Sequence, residues 1–237
     1  MTFDRWVNDR LLAHGAYSGR VDGVPGREMV AALKRFQSAV GLEPTGLANA
    51  DTVEALRQNA RGVVVATAPK VPAEPVWMRE ARRYMGLKEI AGPKSNLTII
   101  GWAKRLGGWV AGFYTDDDTP WCGLAVANWI SVTLPSEPLP SNPLGALNWS
   151  NFGVALKEPA LGAILTFKRP GGGHVGFYAG DDSQCFHVLG GNQSNSVSVT
   201  RIDKSRLQAI RWPKTGGEPV PGRVVRSATG EASRDEA

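Results

Sequence analysis

Histidine and cysteine are scarce in this 237-residue chain, which holds His14, His174 and His187 and the two cysteines Cys122 and Cys185. Two distant cysteines in a chain of this length do not make a disulfide framework. No run of about 18 or more apolar residues occurs, so no segment reads as a membrane-spanning helix. Residues 1–6 lack the apolar core of a signal peptide, and synthesis in the cytosol is expected. The formal net charge is +5. It suits a polyanionic partner, but nucleic acid, anionic lipid and bacterial envelope polymers all qualify, so charge alone does not choose. The length leaves room for one large domain or two small ones.

Against that background one stretch stands out, residues 117–129, with the sequence DDTPWCGLAVANW. Thr119 or Asp118 is a good helix N-cap and Pro120 suits the first helical position. Leu124, Ala125, Val126 and Trp129 then supply an apolar face, which places Cys122 in the first turn. There the unpaired backbone N–H groups and the helix dipole favour a thiolate. A thiolate so placed needs an imidazole from elsewhere. His174 lies in residues 171–180, GGGHVGFYAG, where a glycine-rich turn leads into an alternating strand. Strands are expected on either side of it, over residues 162–167 and 184–189, with two more over 196–200 and 207–212. A cysteine-bearing helix packed on an antiparallel, histidine-bearing sheet is the geometry of papain-like hydrolases. His187 is the rival base, but it alternates with Cys185 on a strand and reads as structural, with Cys185 as core. His14, just before Gly15, reads as a favourable charge at a helix C-terminus.

Four motifs in order carry a family resemblance: residues 119–122 (TPWC), 173–176 (GHVG), 189–193 (LGGNQ) and 211–213 (RWP). Together, over roughly Trp77 to Pro213, they resemble a bacterial and phage branch of the CHAP and NlpC-type cell-wall hydrolases. The resemblance implies Cys122 as nucleophile and His174 as general base. It makes Asn192 the residue that orients the imidazole, with Gln193 second. Tyr114 is one candidate second oxyanion donor beside the Cys122 N–H, and Trp121, Trp149 and Trp109 are candidates for the cleft wall. Glu89 matches a position the family fills with Glu, with a loop or capping role as the plain reading. The run Asp116, Asp117 and Asp118 pulls against a thiolate, because nearby negative charge raises a thiol pKa. Those side chains must point away, cap backbone or bind a cation. They lack an EF-hand spacing, and no cofactor or metal is expected.

Upstream, residues 4–60 read as three short amphipathic helices. Trp6, Val7, Leu11 and Leu12 mark the first; Met29, Leu33, Phe36 and Val40 the second; Thr52, Val53 and Leu56 the third, with Asp51 as its cap. Gly19, Asp22-Gly23, Ala32-Leu33, Phe36-Gln37, Gly41-Leu42, Thr45-Gly46 and residues 52–56 resemble the three-helix peptidoglycan-binding domain. Val7-Asn8 stands where that family usually shows Leu-Gln. In the loop after the first helix, Tyr17, Arg20 and Asp22 are the candidates to touch glycan or stem peptide, although Asp22 also fits a plain Asp-Gly turn.

The expected organisation is an α+β protein. A peptidoglycan-binding helical domain (residues 1–60) is joined by a proline-bearing linker (61–76) to a papain-like domain of helices on an antiparallel sheet (77–213). A disordered tail follows (214–237). The expected function is a monomeric peptidoglycan hydrolase of the endolysin type, an amidase or a stem-peptide endopeptidase. Its partner is the wall polymer, without nucleic acid or stable membrane insertion, and it reaches the wall through a separate pore. A papain-like acyltransferase and a non-catalytic wall-binding protein are the alternatives.

Overall fold

The computed structural model describes residues 1–58, 73–219, 222–228, 231–233 and 236. Most of the expected linker, residues 61–72, lies outside the described residues.

Three helices form the N-terminal module: α1 (Phe3–Ala13), α2 (Arg27–Ala39) and α3 (Ala50–Arg57). Their apolar stripes close on one another through Trp6, Leu11, Met29, Leu33, Phe36, Val53 and Leu56. The buried Gln37 ties the connecting loop to α3. Its amide donates to Thr45 Oγ1, Leu47 O and Thr52 Oγ1, and accepts from the Gly46 N–H at 2.8 Å. The cap of α3 is Asn49, which accepts from Thr52 N, and not Asp51, which lies inside the helix. Asn49 has the extended backbone that a capping side chain needs to fold back.

The second module is α+β. Four helices come first: α4 (Val76–Arg82), α5 (Leu97–Leu106), α6 (Gly108–Phe113) and α7 (Cys122–Thr133). A 3-10 turn (Ala146–Asn151) leads into six strands, β1 (Val154–Ala155), β2 (Ile164–Arg169), β3 (Gly172–Asp181), β4 (Cys185–Gly190), β5 (Ser198–Asp203) and β6 (Leu207–Trp212). The sheet order is β1-β6-β2-β3-β4-β5 and every pairing is antiparallel. Every residue of α7 is buried. A helix apolar on all sides belongs in a core, and α7 lies between α4, α5 and the sheet. Trp129 of α7 meets Phe177 of β3 with ring centroids 5.8 Å apart.

The modules touch. Arg79 of α4 grips Asp4 of α1 with two hydrogen bonds of 2.9 and 2.8 Å and lies over the Phe3 ring. Arg27 donates to the Ser131 carbonyl and Lys34 to Ser136 Oγ. A tethered binding module needs no such contact, so this is an addition to the sequence reading.

The expectation of a disordered tail from residue 214 is corrected over its described part. Glu137 accepts from the Lys214 and Thr215 N–H groups. Arg223 pairs with Asp181 at the end of β3, and the Arg226 N–H donates to the Asp181 carbonyl. Composition suggested a segment with no core of its own. What fixes it is instead a set of buried carboxylates and backbone acceptors that need donors.

Candidate active site

Cys122 is the first residue of α7, two positions later than the Pro-based reading placed the helix start. Trp121, with φ −120° and ψ 12°, is the N-cap and makes no side-chain capping bond. The upstream aspartates are used elsewhere. Asp116 accepts from the N–H and hydroxyl of Thr119, and the buried Asp117 accepts from Ile90 N at 3.0 Å and Asn96 N at 2.7 Å. Their charge is spent on backbone donors rather than aimed at the thiol, which resolves the conflict noted from sequence.

The helix start leaves its donors for the sulfur. The N–H groups of Cys122 and Gly123 and, from the facing strand, of Val175 all act on the Cys122 thiol. Val175 directly follows His174, so the sulfur lies against the β3 backbone at the residue next to His174. Gly123 is required by close approach: a Cβ there would sit 2.4 Å from the Pro143 carbonyl and 2.5 Å from that of Leu144. Gly191 is required likewise, since a Cβ would lie 2.6 Å from the Trp121 ring and 2.7 Å from Ala125. The two glycines let the roof loop and the end of β4 close on the first turn of α7.

His174 is oriented by Gln193 and not by Asn192, which corrects the preferred choice from sequence. Gln193 Oε1 lies 3.1 Å from His174 Nε2. The Gln193 NH₂ donates to Ser198 O at 2.7 Å, which fixes the amide with its oxygen toward the ring. An acceptor facing Nε2 requires the Nε2–H tautomer and leaves Nδ1 with a free lone pair. Asn192 has φ +57°. This left-handed turn swings the next side chain, not its own, back under β3.

Burial dominates the electrostatics. Cys122 is 6% exposed and His174 is 1% exposed. Burial pushes the thiol above its ordinary pKa, outweighing the three N–H donors, and lowers His174 to about 4. Burial thus works against the thiolate that the helix dipole favours, and against the imidazolium as well.

The other sequence candidates divide clearly. The Tyr114 hydroxyl donates to the Thr119 carbonyl at 2.8 Å and is not free for an oxyanion. Trp121 is buried and donates its indole N–H to Glu89 Oε2 at 3.0 Å, so it packs beneath the site instead of lining a cleft. Glu89 also donates its backbone N–H to Asn195 O, and Gly86 and Leu87 pair with Val197. The 86–89 loop thus holds both the residue before the cysteine and the turn after Gln193. Trp149 is buried against Phe152 with its N–H on Pro143 O. Trp109, 50% exposed, forms an edge-to-face pair with the exposed Phe113 on α6. His187 is held by Asp182 Oδ2 at 2.9 Å, and Cys185 is buried, both in the structural roles expected. His14 caps α1. In the N-terminal module Tyr17 is buried with its hydroxyl on the Arg20 carbonyl, which removes it as a surface contact. Arg20 and Asp22 are exposed, and Asp22 caps Val24 N as a turn residue.

Sequence reasoning gave no weight to Gly123 or to the glutamate at 236. Arg206, in a 3-10 turn (Lys204–Arg206) before β6, grips Glu236 with two bonds of 2.7 Å.

Comparison with known proteins bears on the first module. Residues 4–56 match the family described as "Putative peptidoglycan binding domain". The match spans α1 to α3, so the N-terminal module is similar to peptidoglycan-binding domains. The chain is also similar to the "Putative OxPP cycle protein OpcA" of Synechocystis sp., 34% identical over 70 residues, which is 27% of this chain and 15% of that protein. No solved structure matches the chain. Among the described residues no helix is long and apolar enough to cross a membrane.

Proposed function

We propose that this protein is a peptidoglycan hydrolase of the CHAP/NlpC-like, endolysin type, whose second module is a papain-like cysteine amidohydrolase acting on the polymer that the first module binds. The observation that carries the reading is the hydrogen bond between His174 Nε2 and a Gln193 amide whose orientation is fixed. It sets the imidazole tautomer and leaves a basic nitrogen on the residue adjoining the thiol contact.

In this reading His174 Nδ1 takes the Cys122 proton as Sγ attacks an amide carbonyl carbon of the peptide stem or its muramic acid linkage. The N–H groups of Cys122 and Gly123 hold the developing oxyanion. The proton passes from His174 to the leaving amine, giving a thioester. Water, deprotonated by His174, then attacks the thioester and releases the carboxylate and the thiol. A neutral amide suffices as orienter, because the imidazolium that forms is balanced by the thiolate and oxyanion. The same acyl transfer serves an amidase and an endopeptidase, and only the groove separates them.

Purified sacculi test the reading. The chain should lower their turbidity and release soluble fragments. Cys122→Ala should abolish release while sedimenting with sacculi like the parent. Mass spectrometry of the digest identifies the bond cut: an amidase leaves peptide-free glycan, an endopeptidase leaves shortened peptide on glycan. One observation favours a second reading, a non-catalytic wall tether, namely the burial of both Cys122 and His174. Equal and undetectable release by parent and Cys122→Ala, with intact binding, is its signature.

A further inference from the structure

Arg206 sits at the edge of the His174 neighbourhood with its guanidinium fixed from two sides. Nε donates to Lys168 O at 2.9 Å, and Lys168 is paired across β2 and β3 with Gly173, the residue before His174. The two remaining nitrogens face Glu236 as a fork, each 2.7 Å from one carboxylate oxygen, and one of them also donates to Ser233 O. The Ser233 N–H in turn donates to Arg201 O, so Ser233 pairs beside Ile202 on β5. Glu236 is 1% exposed. A glutamate is left out of water to this degree only when a matched partner replaces its hydration, and a bidentate guanidinium is the best match a carboxylate has.

The same carboxylate reaches His174. Its charge favours the imidazolium, whereas Arg169 and Arg206 oppose it. The surroundings of the imidazole therefore hold cations that an anion must offset.

We propose that Arg206 is a binding position for a carboxylate-bearing peptide beside His174, and that Glu236 of the same chain is its resident occupant. The ligand class is an acidic peptide able to present one carboxylate to the fork while the residue three positions before it pairs beside Ile202 on β5. A tethered occupant acts at high effective concentration, so it competes strongly with any peptide from solution. The binding position stands independently of the chemistry proposed above. Only its consequence for turnover, that an acidic peptide in place of Glu236 both docks and supports the charged form of His174, rests on that reading.

The test uses a fluorescein-labelled peptide with the sequence of residues 229–237 (TGEASRDEA) and fluorescence anisotropy. All binding arms carry Cys122→Ala, so hydrolysis plays no part. A chain ending at residue 228 should bind the peptide saturably, and the full chain about tenfold or more weaker. Arg206→Gln in the shortened chain, or glutamine for Glu236 in the peptide, should each cost about tenfold or more. Equal binding with either substitution, or no saturable binding by a folded shortened chain, overturns the proposal. A second arm keeps the full chain: in Glu236→Gln the NMR titration of His174 should move to lower pH, and an unmoved titration also overturns it. Sacculus digestion by the shortened chain with Cys122 restored separates the two claims. Peptide binding without digestion leaves the carboxylate position standing and removes the hydrolase.

Discussion

Two buried histidines on neighbouring strands of one sheet have opposite company. His187 on β4 faces Asp182, a carboxylate that also accepts from Arg201 Nε at 2.8 Å and from the Gln184 and Cys185 N–H groups. His174 on β3 has the neutral carbonyl of Gln193 as its hydrogen-bond partner. The first arrangement is saturated: donors converge on Asp182, whose pKa they hold far below the usual carboxylate range, and the ring is one more strut. In the second, a fixed amide oxygen accepts from one ring N–H and carries no charge. The contrast teaches that burial alone does not make a histidine structural. Among the described residues each ring is held at Nε2, and what differs is the charge of the group that holds it.

The largest expected effect breaks the contrast outright. His174→Gln should lower sacculus digestion by about a thousandfold or more, while His187→Asn should leave turnover within a few-fold and lower the thermal midpoint. Equal losses of activity would erase the distinction. Next comes Gln193. Gln193→Leu should cost about a hundredfold in kcat with KM little changed, since it frees the tautomer without touching substrate. Gln193→Glu, which makes this site resemble the other, should raise the His174 pKa and move the acid limb of the rate profile to higher pH.

Stability against pH gives a third measure. With His174 lowered to about 4 in the fold from 6.5, the unfolded chain binds the proton first as pH falls. The contribution is fully present above pH 6.5 and is lost as pH falls toward about 4, by on the order of 3 kcal/mol at most. Urea unfolding across that window should show the loss, and His174→Gln should flatten it. The smallest effect is at Asn192. Asn192→Gly, which suits its left-handed backbone, should leave turnover within about twofold, whereas a large loss would return the orienting role to Asn192.

Much of this was readable in the chain. Apolar periodicity marked the three N-terminal helices, and glycine punctuation with alternation marked β3. The cysteine and the histidine were singled out by the chemistry they would need, and the Asn-Gln pair by the family resemblance. Which of the pair faces His174 was not legible, because it depends on the left-handed turn at Asn192 and on Ser198 fixing the amide. Nor was the start of α7, since Pro120 suits a first helical position but Asp116 draws Thr119 into a turn ahead of the helix. Tyr17 and Trp121 looked like surface aromatics because side-chain type does not tell which polar tip will find a buried acceptor. The burial that opposes charge on the thiol and the imidazole follows from tertiary packing, which no local motif shows.

Glu89 joins two parts that chemistry requires to stay aligned. Its carboxylate moors the indole just before the sulfur, and its amide moors the turn just after the orienting glutamine. Registration between the first turn of α7 and the turn after Gln193 therefore runs through one short loop that lies in neither. Wear in that loop would be felt at both ends at once, as lost alignment and not as a lost functional group.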